Sequence, residues 1–320
     1  MKAVIPAAGV GTRLRPHTLN KPKALLPVAG RPILAHIVDD LVEAGIDGFV
    51  IIVGYHGEAV REWFAAERPD LDITYVEQER RLGLGHAVWT AREAVGDEAF
   101  FCVLGDTILK ADYASLLRCP DNMIGVRQVE DPRRFGVVIK EGERVTGFVE
   151  KPADPPSNLA IVGAYLFRDG GPLFAALGRL VAEDRRTRGE YQLTDALQIM
   201  LEDERVFRTV EVSDWYDCGK RETWLQTNRV LLDRGAKEQG ASYIHPSARV
   251  VNSRLGPHVS LGPEAVVEAC EIRDAVIGAG SVLRHCRLDE SLVGEQCNLE
   301  GIEGSINIGD HCEMTAKEQG

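Results

Sequence analysis

The sequence lacks the features that would place it among membrane, secreted or zinc-binding proteins. No apolar run in the 320 residues approaches the ~20 residues that a membrane span needs, and no basic segment precedes the first strand-like stretch, so we expect no span and no signal peptide. The seven cysteines include no Cys-x-x-Cys pair, and their odd number is typical of reduced thiols. These absences predict a cytoplasmic protein without a membrane partner.

A basic surplus is also missing, because 49 acidic residues outnumber 37 basic ones and give a net charge of −12. Such a balance argues against general nucleic-acid binding, which needs a basic surface. The hydrophobic fraction of 44% is typical of a globular chain rather than of a disordered one. An anionic ligand must therefore be bound by a local cluster of cations.

The length predicts two domains, and the first, over residues 1–235, alternates apolar runs with amphipathic helical patterns. Near-continuous apolar strands separated by helices are typical of a parallel sheet that is covered on both faces. From 124 to 168 short strands follow one another with little helix between them, which predicts an antiparallel elaboration. We expect the α/β class, with a Rossmann-like, mostly parallel sheet whose ligands lie at the carboxyl ends of its strands.

Residues 236–320 have a different pattern, which predicts a linker at 236–242 and then a short left-handed parallel β-helix. Cys270 and Cys286 keep the register of the repeat, and we interpret them as small apolar residues stacked inside the coil. Open ends and flat faces of such a coil predict a homo-oligomer, either dimer or tetramer. The repeat is an aliphatic residue followed by glycine every 15 or 16 residues, beginning at Leu261, Ile277, Val293 and Ile308.

The most informative stretch follows the first strand and reads AAGVGTRLRPHTLNKPKALLPVAGRPIL, residues 7–34. Glycines allow backbone N–H groups to approach phosphate oxygens closely, while arginine and lysine supply forked and point positive charges. The stretch is not a Rossmann fingerprint, because Leu14 stands where the third glycine is required, and it is not a Walker loop. It therefore predicts a phosphate-binding loop of another kind.

This stretch resembles the signature of the sugar-1-phosphate nucleotidylyltransferases, also called sugar-nucleotide pyrophosphorylases. The resemblance is greatest to the long-form glucose-1-phosphate thymidylyltransferases, which carry an added β-helix, and it implies a GT-A-like nucleotidyltransferase domain. GLGHAV also resembles a motif of the glucose-1-phosphate uridylyltransferases. The motifs that follow the family's order are GLGHAV (83–88), LGD (104–106), RRFGVV (133–138), FVEKP (148–152), SNLAIVGAYLF (157–167), RGEYQLTDA (188–196) and WYDCG (215–219).

The resemblance implies that a nucleotidyl group passes from dTTP to glucose 1-phosphate, giving dTDP-glucose and pyrophosphate, by Mg²⁺-assisted in-line attack on the α-phosphate. Two anions must meet in such a reaction, so it needs charge neutralisation and positioning. The implied Mg²⁺ ligands are Asp106 and Asp217. The implied catalytic cations are Arg13, Lys23, Lys151 and Arg188. The implied nucleotide-binding residues are Ala8, Gly9, Gly11, Thr12, Arg13, Lys23, Gln78, Gly83 and Asp106. The implied sugar-phosphate-binding residues are Gly136, Glu150, Lys151, Asn158, Gly163 and Tyr165.

Three alternatives stay open at this point. The Gln78 amide can pair with an edge that thymine and uracil share, and one methyl group contributes only ~1–3 kcal/mol to discrimination. A UTP-dependent glucose-1-phosphate uridylyltransferase, or another NDP-sugar pyrophosphorylase, is therefore the nearest alternative. Less favoured are a bifunctional enzyme whose β-helix transfers an acyl group, with His245, His258 or His285 as base, and a non-catalytic regulatory relative.

Overall fold

The structure is a computed structural model that describes residues 1–234 and 241–316, apart from the side chains of 114 and 115. Its contacts divide the chain into two compact units. We call Met1–Gly9 with His36–Trp215 the sheet unit, and Val10–Ala35 with Tyr216–Gly320 the tail unit. Residues 10–34 of the opening signature thus belong to the tail unit, whereas residues 7–9 and the strand before them belong to the sheet unit.

Thirteen strands and eight helices are described before the repeats begin. The strands are β1 (Lys2–Pro6), β2 (Pro27–Val28), β3 (Arg31–Pro32), β4 (Gly48–Val53), β5 (Asp72–Glu77), β6 (Phe100–Val103), β7 (Thr107–Lys110), β8 (Asn122–Gln128), β9 (Gly136–Glu141), β10 (Arg144–Glu150), β11 (Leu159–Phe167), β12 (Phe207–Glu211) and β13 (Asp214–Asp217). The helices are α1 (Ile33–Glu43), α2 (Gly57–Glu67), α3 (Leu84–Thr90), α4 (Arg92–Val95), α5 (Tyr113–Arg118), α6 (Gly170–Ala182), α7 (Leu193–Glu202) and α8 (Arg221–Arg234).

The sheet unit is built on one nine-stranded mixed sheet with the order β10-β9-β11-β6-β1-β4-β5, and with β8 pairing both β11 and β12. Strands β6, β1, β4 and β5 are parallel to their neighbours in this group. All six residues of β4 are buried, as expected for a parallel strand with both faces covered. The parallel half and the carboxyl-end edge that it creates are therefore as predicted.

The other half of the sheet is antiparallel, as the short strands of 124–168 predict. Strand β11 runs antiparallel to β6, β8 and β9, and β10 runs antiparallel to β9. The register of β11 against β8 shifts between Ile161 and Tyr165. Gly163 lies in this irregularity with a φ of 86°, a conformation that glycine adopts without strain.

Two stretches whose sequence has a helical pattern are interrupted. The pattern of 85–95 is divided into α3 and α4 at Ala91, and the pattern of 172–205 is divided into α6 and α7. Between α6 and α7 lie Asp184, Arg188 and Gly189, all with positive φ values that no helix contains. Among the residues described, none of the helices has the length and hydrophobicity that a bilayer-spanning segment requires.

In the tail unit, the repeats form a parallel β-helix of short strands stacked into three sheets. Leu261 pairs with Ile277, Ile277 with Val293, and Val293 with Ile308, which confirms the register that the aliphatic-glycine pairs predict. The first sheet contains β14 (Tyr243–Ile244), β17 (Val259–Leu261), β20 (Ala275–Ile277), β23 (Ser291–Val293) and β26 (Asn307–Ile308). The second contains β15 (Arg249–Val251), β18 (Val266–Glu268), β21 (Val282–Arg284), β24 (Asn298–Glu300) and β27 (Glu313–Thr315). The third contains β16 (Arg254–Leu255), β19 (Glu271–Ile272), β22 (Arg287–Leu288) and β25 (Glu303–Gly304).

The cysteines of the repeats lie where a small apolar residue is needed. Cys270 and Cys286 are buried in the core of the β-helix, and both remain free thiols. The predicted linker at 236–242 lies largely outside the described residues. The predicted domain boundary at 235/236 falls outside the described residues and stays a prediction.

Candidate active site

The signature of the tail unit is ordered by two short 3-10 turns, Thr12–Leu14 and Lys23–Leu25. Gly11 precedes the first turn with a φ of 66°, and a Cβ at this position would lie 3.0 Å from Thr18 Cγ2. The Thr18 hydroxyl donates a hydrogen bond to the Gly11 carbonyl (2.9 Å). Glycine is needed at 11 both for its backbone conformation and for this close approach. Arg13 and Thr12 lie on the exposed side of the turn.

The second predicted cation, Lys23, is almost buried, with 7% of the residue exposed. Its ammonium group lies 3.8 Å from Oδ1 of Asp217, one of the two predicted metal ligands. Gly219 gives that carboxylate its space, since a Cβ at 219 would lie 2.6 Å from Asp217 Oδ1. The tail unit therefore brings a cation and a carboxylate together from residues almost 200 positions apart.

In the sheet unit, the loops after β1 and β6 approach each other through a glycine. The Gly105 N–H donates to the Pro6 carbonyl (3.1 Å), and a Cβ at 105 would lie only 3.0 Å from the same oxygen. Ala8 is 4% exposed, whereas a Cβ on Gly9 would meet no atom within 4 Å. Asp106 follows Gly105, and its Oδ1 accepts a hydrogen bond from the Thr107 hydroxyl (3.1 Å).

The predicted base-binding residues lie together after β5. Gln78 is 6% exposed, and its amide donates to the carbonyl of Gly83 (3.1 Å). Gly83 has a φ of 107°, and a Cβ there would lie 2.6 Å from the Tyr191 carbonyl. His86 Nδ1 lies 3.3 Å from Gln78 Nε2, and burial lowers the pKa of the His86 imidazole, with the Arg80 charge adding to the effect. The amide that would read a base is therefore oriented by its neighbours.

The predicted sugar-phosphate residues form a second cluster around Glu150, whose side chain is only 7% exposed. Lys151 Nζ lies 2.9 Å from Glu150 Oε1, and the Thr194 hydroxyl donates to Glu150 Oε2 (2.6 Å). A Cβ at Gly136 would lie 2.6 Å from Thr194 Oγ1 and 3.0 Å from Glu150 Oε2. Both carboxylate oxygens are therefore fixed, and a side chain at 136 would displace Thr194.

Arg188 is connected to this cluster through a backbone atom. Its guanidinium donates to the Lys151 carbonyl (2.7 Å), and Lys151 and Arg188 have φ values of 41° and 55°. Positive φ is a conformation that non-glycine residues adopt infrequently. Asp195 lies in the neighbouring turn of α7, where burial raises the pKa of its carboxyl group and the Glu150 charge raises it further.

The remaining predicted residues of this group differ in burial. Tyr165 is 4% exposed, and burial raises the pKa of its hydroxyl well above the usual value. Gly163 lies against Leu104, whose Cδ1 would be 2.6 Å from an added Cβ. Asn158 is exposed, and its carbonyl accepts the Val129 N–H (3.0 Å).

Sequence reasoning did not single out Thr194 or Asp195, although both lie in the RGEYQLTDA motif. Thr194 orients Glu150, and Asp195 is a second, partly buried carboxylate in the same turn of helix. The available signal was their position within a motif of the resembled family. Their roles needed coordinates, because α7 and β10 are distant in sequence.

Over the residues that the structure describes, no three His, Cys, Asp or Glu side chains are grouped so that they could hold a metal ion. The predicted ligands, Asp106 and Asp217, are two carboxylates, and Mg²⁺ is typically bound by one or two carboxylates together with substrate phosphates. Their oxygen donors therefore fit a magnesium ion. The two residues fall in different units, and their metal role stays a prediction.

Comparison with known proteins identifies the family of the chain. Residues 2–234 match the model of the family described as nucleotidyl transferase. The chain belongs to the nucleotidyl transferase family. The motifs and the relatives place this nucleotidyltransferase among the enzymes that act on sugar 1-phosphates.

Three relatives illustrate the range of this group. The low-salt glycan biosynthesis nucleotidyltransferase Agl11 of Haloferax volcanii is 33% identical over 339 residues, covering 93% of this chain and 94% of that protein. A glucose-1-phosphate thymidylyltransferase of Streptomyces griseus is 31% identical over 353 residues, covering 97% of this chain and 98% of that protein. A UTP–glucose-1-phosphate uridylyltransferase of Bacillus subtilis is 36% identical over 279 residues, covering 74% of this nucleotidyltransferase and 94% of the relative.

Proposed function

We propose that this nucleotidyltransferase transfers the nucleotidyl group of dTTP to glucose 1-phosphate and releases pyrophosphate, giving dTDP-glucose. The observation that carries the sugar-phosphate half is the cluster of Glu150, Lys151 and Thr194, in which a buried carboxylate is held by an ammonium group and a hydroxyl. A fixed carboxylate accepts hydrogen bonds from sugar hydroxyls, and the adjacent cation suits the phosphate.

The choice of dTTP rests on how much of this chain each relative covers. The thymidylyltransferase relative covers 97% of this chain and so includes the β-helix, whereas the uridylyltransferase relative covers 74%. The identities, 31% and 36%, do not separate the two bases. UTP is therefore the second candidate nucleotide, since the Gln78 amide suits the edge that thymine and uracil share.

The chemistry assigned to the chain is positioning and charge neutralisation. Arg13 and Lys23 would neutralise the triphosphate, and Lys151 with Arg188 would hold the phosphate of the sugar. The attacking atom is a phosphate oxygen, which is already a nucleophile, so no side chain has to remove a proton from it. Near-attack positioning of two bound reactants can itself contribute several kcal/mol to lowering a barrier.

Asp106 and Asp217 would offer carboxylate oxygens to Mg²⁺. When bound, a magnesium ion supplies positive charge that stabilises phosphate oxygens in the transition state. Lys23 lies 3.8 Å from Asp217, so this lysine offsets part of the negative charge of the carboxylate. A homo-oligomer, dimer or tetramer, is the assembly that we propose for the chain.

The bifunctional alternative has less support from the histidines that it requires. His258 Nε2 lies 3.0 Å from Asp233 and its Nδ1 lies 3.2 Å from Asp274, so this ring bridges α8 and the β-helix. His245 Nδ1 lies 2.8 Å from the Ser247 hydroxyl, and His285 Nε2 lies 3.9 Å from Glu300. These contacts are those of structural residues on a coil.

The deciding experiment measures pyrophosphate release with glucose 1-phosphate and Mg²⁺, using dTTP, UTP, GTP, CTP and ATP in parallel. The proposal predicts the largest kcat/KM with dTTP. A preference for UTP would keep the reaction and overturn the base, and the absence of release with all five would overturn the proposed substrate pair. The variant Arg13→Ala tests the phosphate role, since the substitution of this exposed residue should leave the folding stability intact while lowering turnover.

A further inference from the structure

The signature loop, residues 10–35, is attached to α8 and to the β-helix within the tail unit. Its front half is held at His17, which is 5% exposed. The His17 ring donates from Nε2 to Oδ1 of Asn307 in β26 (2.8 Å), and it meets the Trp224 ring edge-on with 5.1 Å between centroids. One imidazole therefore contacts both the helix and the last coils.

Two further contacts hold the same half of the loop. The Lys21 ammonium group pairs with Glu295 of the β-helix. Pro16 packs against the backbone of Gly309, where a Cβ would lie 2.8 Å from Pro16 Cβ. The coil therefore approaches this segment so closely that glycine is needed at 309.

The rear half of the loop is held through its backbone by α8. Asn228 is 1% exposed, and its Oδ1 accepts hydrogen bonds from the Ala29 N–H (2.8 Å) and from the Ser260 hydroxyl (2.8 Å). Its amide nitrogen donates to the His258 carbonyl (3.1 Å), so one buried side chain joins loop, helix and coil. Trp224 Nε1 donates to the Pro27 carbonyl (2.7 Å).

These contacts lead directly to the groups predicted to bind phosphate. Thr18, next to His17, donates to the Gly11 carbonyl and packs where a Cβ at 11 would lie. A Cβ added at Gly11 would also lie 3.1 Å from Lys23 Cβ. A displacement of His17 would therefore be transmitted to the Gly11 turn and, through it, to Lys23.

We infer that the β-helix and α8 act as a platform that positions the phosphate-binding loop, with Asn307 and Asn228 as positioning residues. The inference rests on the proposed function, since it assumes that the loop binds the triphosphate. Packing alone would need only apolar contacts, whereas directional bonds from buried polar groups fix a segment in one place. The repeats thereby contribute to nucleotide binding without touching the nucleotide.

The test compares Asn307→Ala with Asn298→Ala as the matched control. Both asparagines are exposed and lie in strands of the β-helix, but Asn307 holds His17. For Asn307→Ala we expect KM for the nucleotide to rise about 2- to 10-fold, as for the loss of one hydrogen bond, with KM for glucose 1-phosphate unchanged. Asn298→Ala should match the wild type.

The variant Asn307→Asp supplies the rescue, because a carboxylate oxygen can accept from His17 Nε2 as the amide oxygen does. A return of nucleotide KM toward the wild-type value supports the inference. Hydrogen exchange of the amides in 10–35 is measured on the same three variants and needs no turnover. Equal nucleotide KM in Asn307→Ala and Asn298→Ala, in an active enzyme, would overturn the inference, whereas an inactive wild type would overturn the proposed function instead. If the wild type is inactive, faster hydrogen exchange in Asn307→Ala would still support the attachment of the loop to the β-helix.

Discussion

Gly136→Ala is the substitution with the most direct geometric consequence. The new methyl carbon would lie 2.6 Å from Thr194 Oγ1, closer than a carbon and an oxygen can approach, and 3.0 Å from Glu150 Oε2. Thr194 must move, and its 2.6 Å hydrogen bond to Glu150 is lost. A hydrogen bond to a charged group contributes about 1.5–3 kcal/mol, which corresponds to a roughly 10- to 100-fold change. We therefore expect kcat/KM for glucose 1-phosphate to fall about 10- to 100-fold.

The assay is steady-state kinetics with glucose 1-phosphate varied at saturating dTTP, and then with the substrates exchanged. KM for dTTP should change less, because Thr194 donates to Glu150 whereas the Gln78 amide donates to Gly83. Thr194→Val removes the same hydrogen bond without adding a methyl group at 136, and it should give a similar loss. Gly178→Ala is the control, since a Cβ there would make an ordinary 3.6 Å contact with Trp89 Nε1. Wild-type kinetics in both Gly136→Ala and Thr194→Val would refute the role assigned to Glu150.

Three further predictions concern charge, metal and pH. Gly219→Ala would place a Cβ 2.6 Å from Asp217 Oδ1, so we expect the Mg²⁺ concentration for half-maximal activity to rise several-fold, and an unchanged Mg²⁺ titration would contradict the metal role. Lys151→Gln should raise KM for glucose 1-phosphate at least 10-fold and lower the melting temperature, because Glu150 loses the cation 2.9 Å away; equal effects on both substrates would argue against a sugar-phosphate role. Burial lowers the pKa of His17, so the unfolded chain takes up a proton at higher pH than the folded one, and stability falls as the pH drops below about 6.5. Urea unfolding midpoints between pH 7.5 and 5 should therefore decline less steeply in His17→Gln than in the wild type. An equal decline in both proteins would refute the assignment of this pH dependence to His17. Besides burial, four groups act on the pKa of this imidazole. It is raised by Asn307 and Asp310 and lowered by Arg221 and Lys21.

Much of the fold could be predicted because its determinants are local and periodic. The buried strand 48–53 shows its apolar character along the chain, and the register of Leu261, Ile277 and Val293 is set by a repeat that stacks each coil on the next. The break at Ala91 could not be predicted in this way. The pattern of 85–95 is helical throughout, and tertiary packing decides where such a helix is interrupted.

The candidate site shows the same division. Residue types such as Lys23, Lys151 and Asp217 could be selected from motifs, since phosphate and metal chemistry restricts which side chains are useful. Their partners could not be selected, because the Thr194–Glu150 bond and the Lys23–Asp217 pair join segments that are far apart in the chain. No local pattern records which distant residue fills a given space.

The amino-acid order alone was sufficient for the class of the sheet, the register of the β-helix and the chemical character of the opening loop, since each depends on neighbours within a few residues or on a short repeat. Only the folded chain decided that this loop belongs with the tail rather than with the strand that precedes it. The physical reason is that Asn228 and His17 satisfy their hydrogen bonds with groups distant in sequence, and buried polar atoms must find partners wherever the fold provides them.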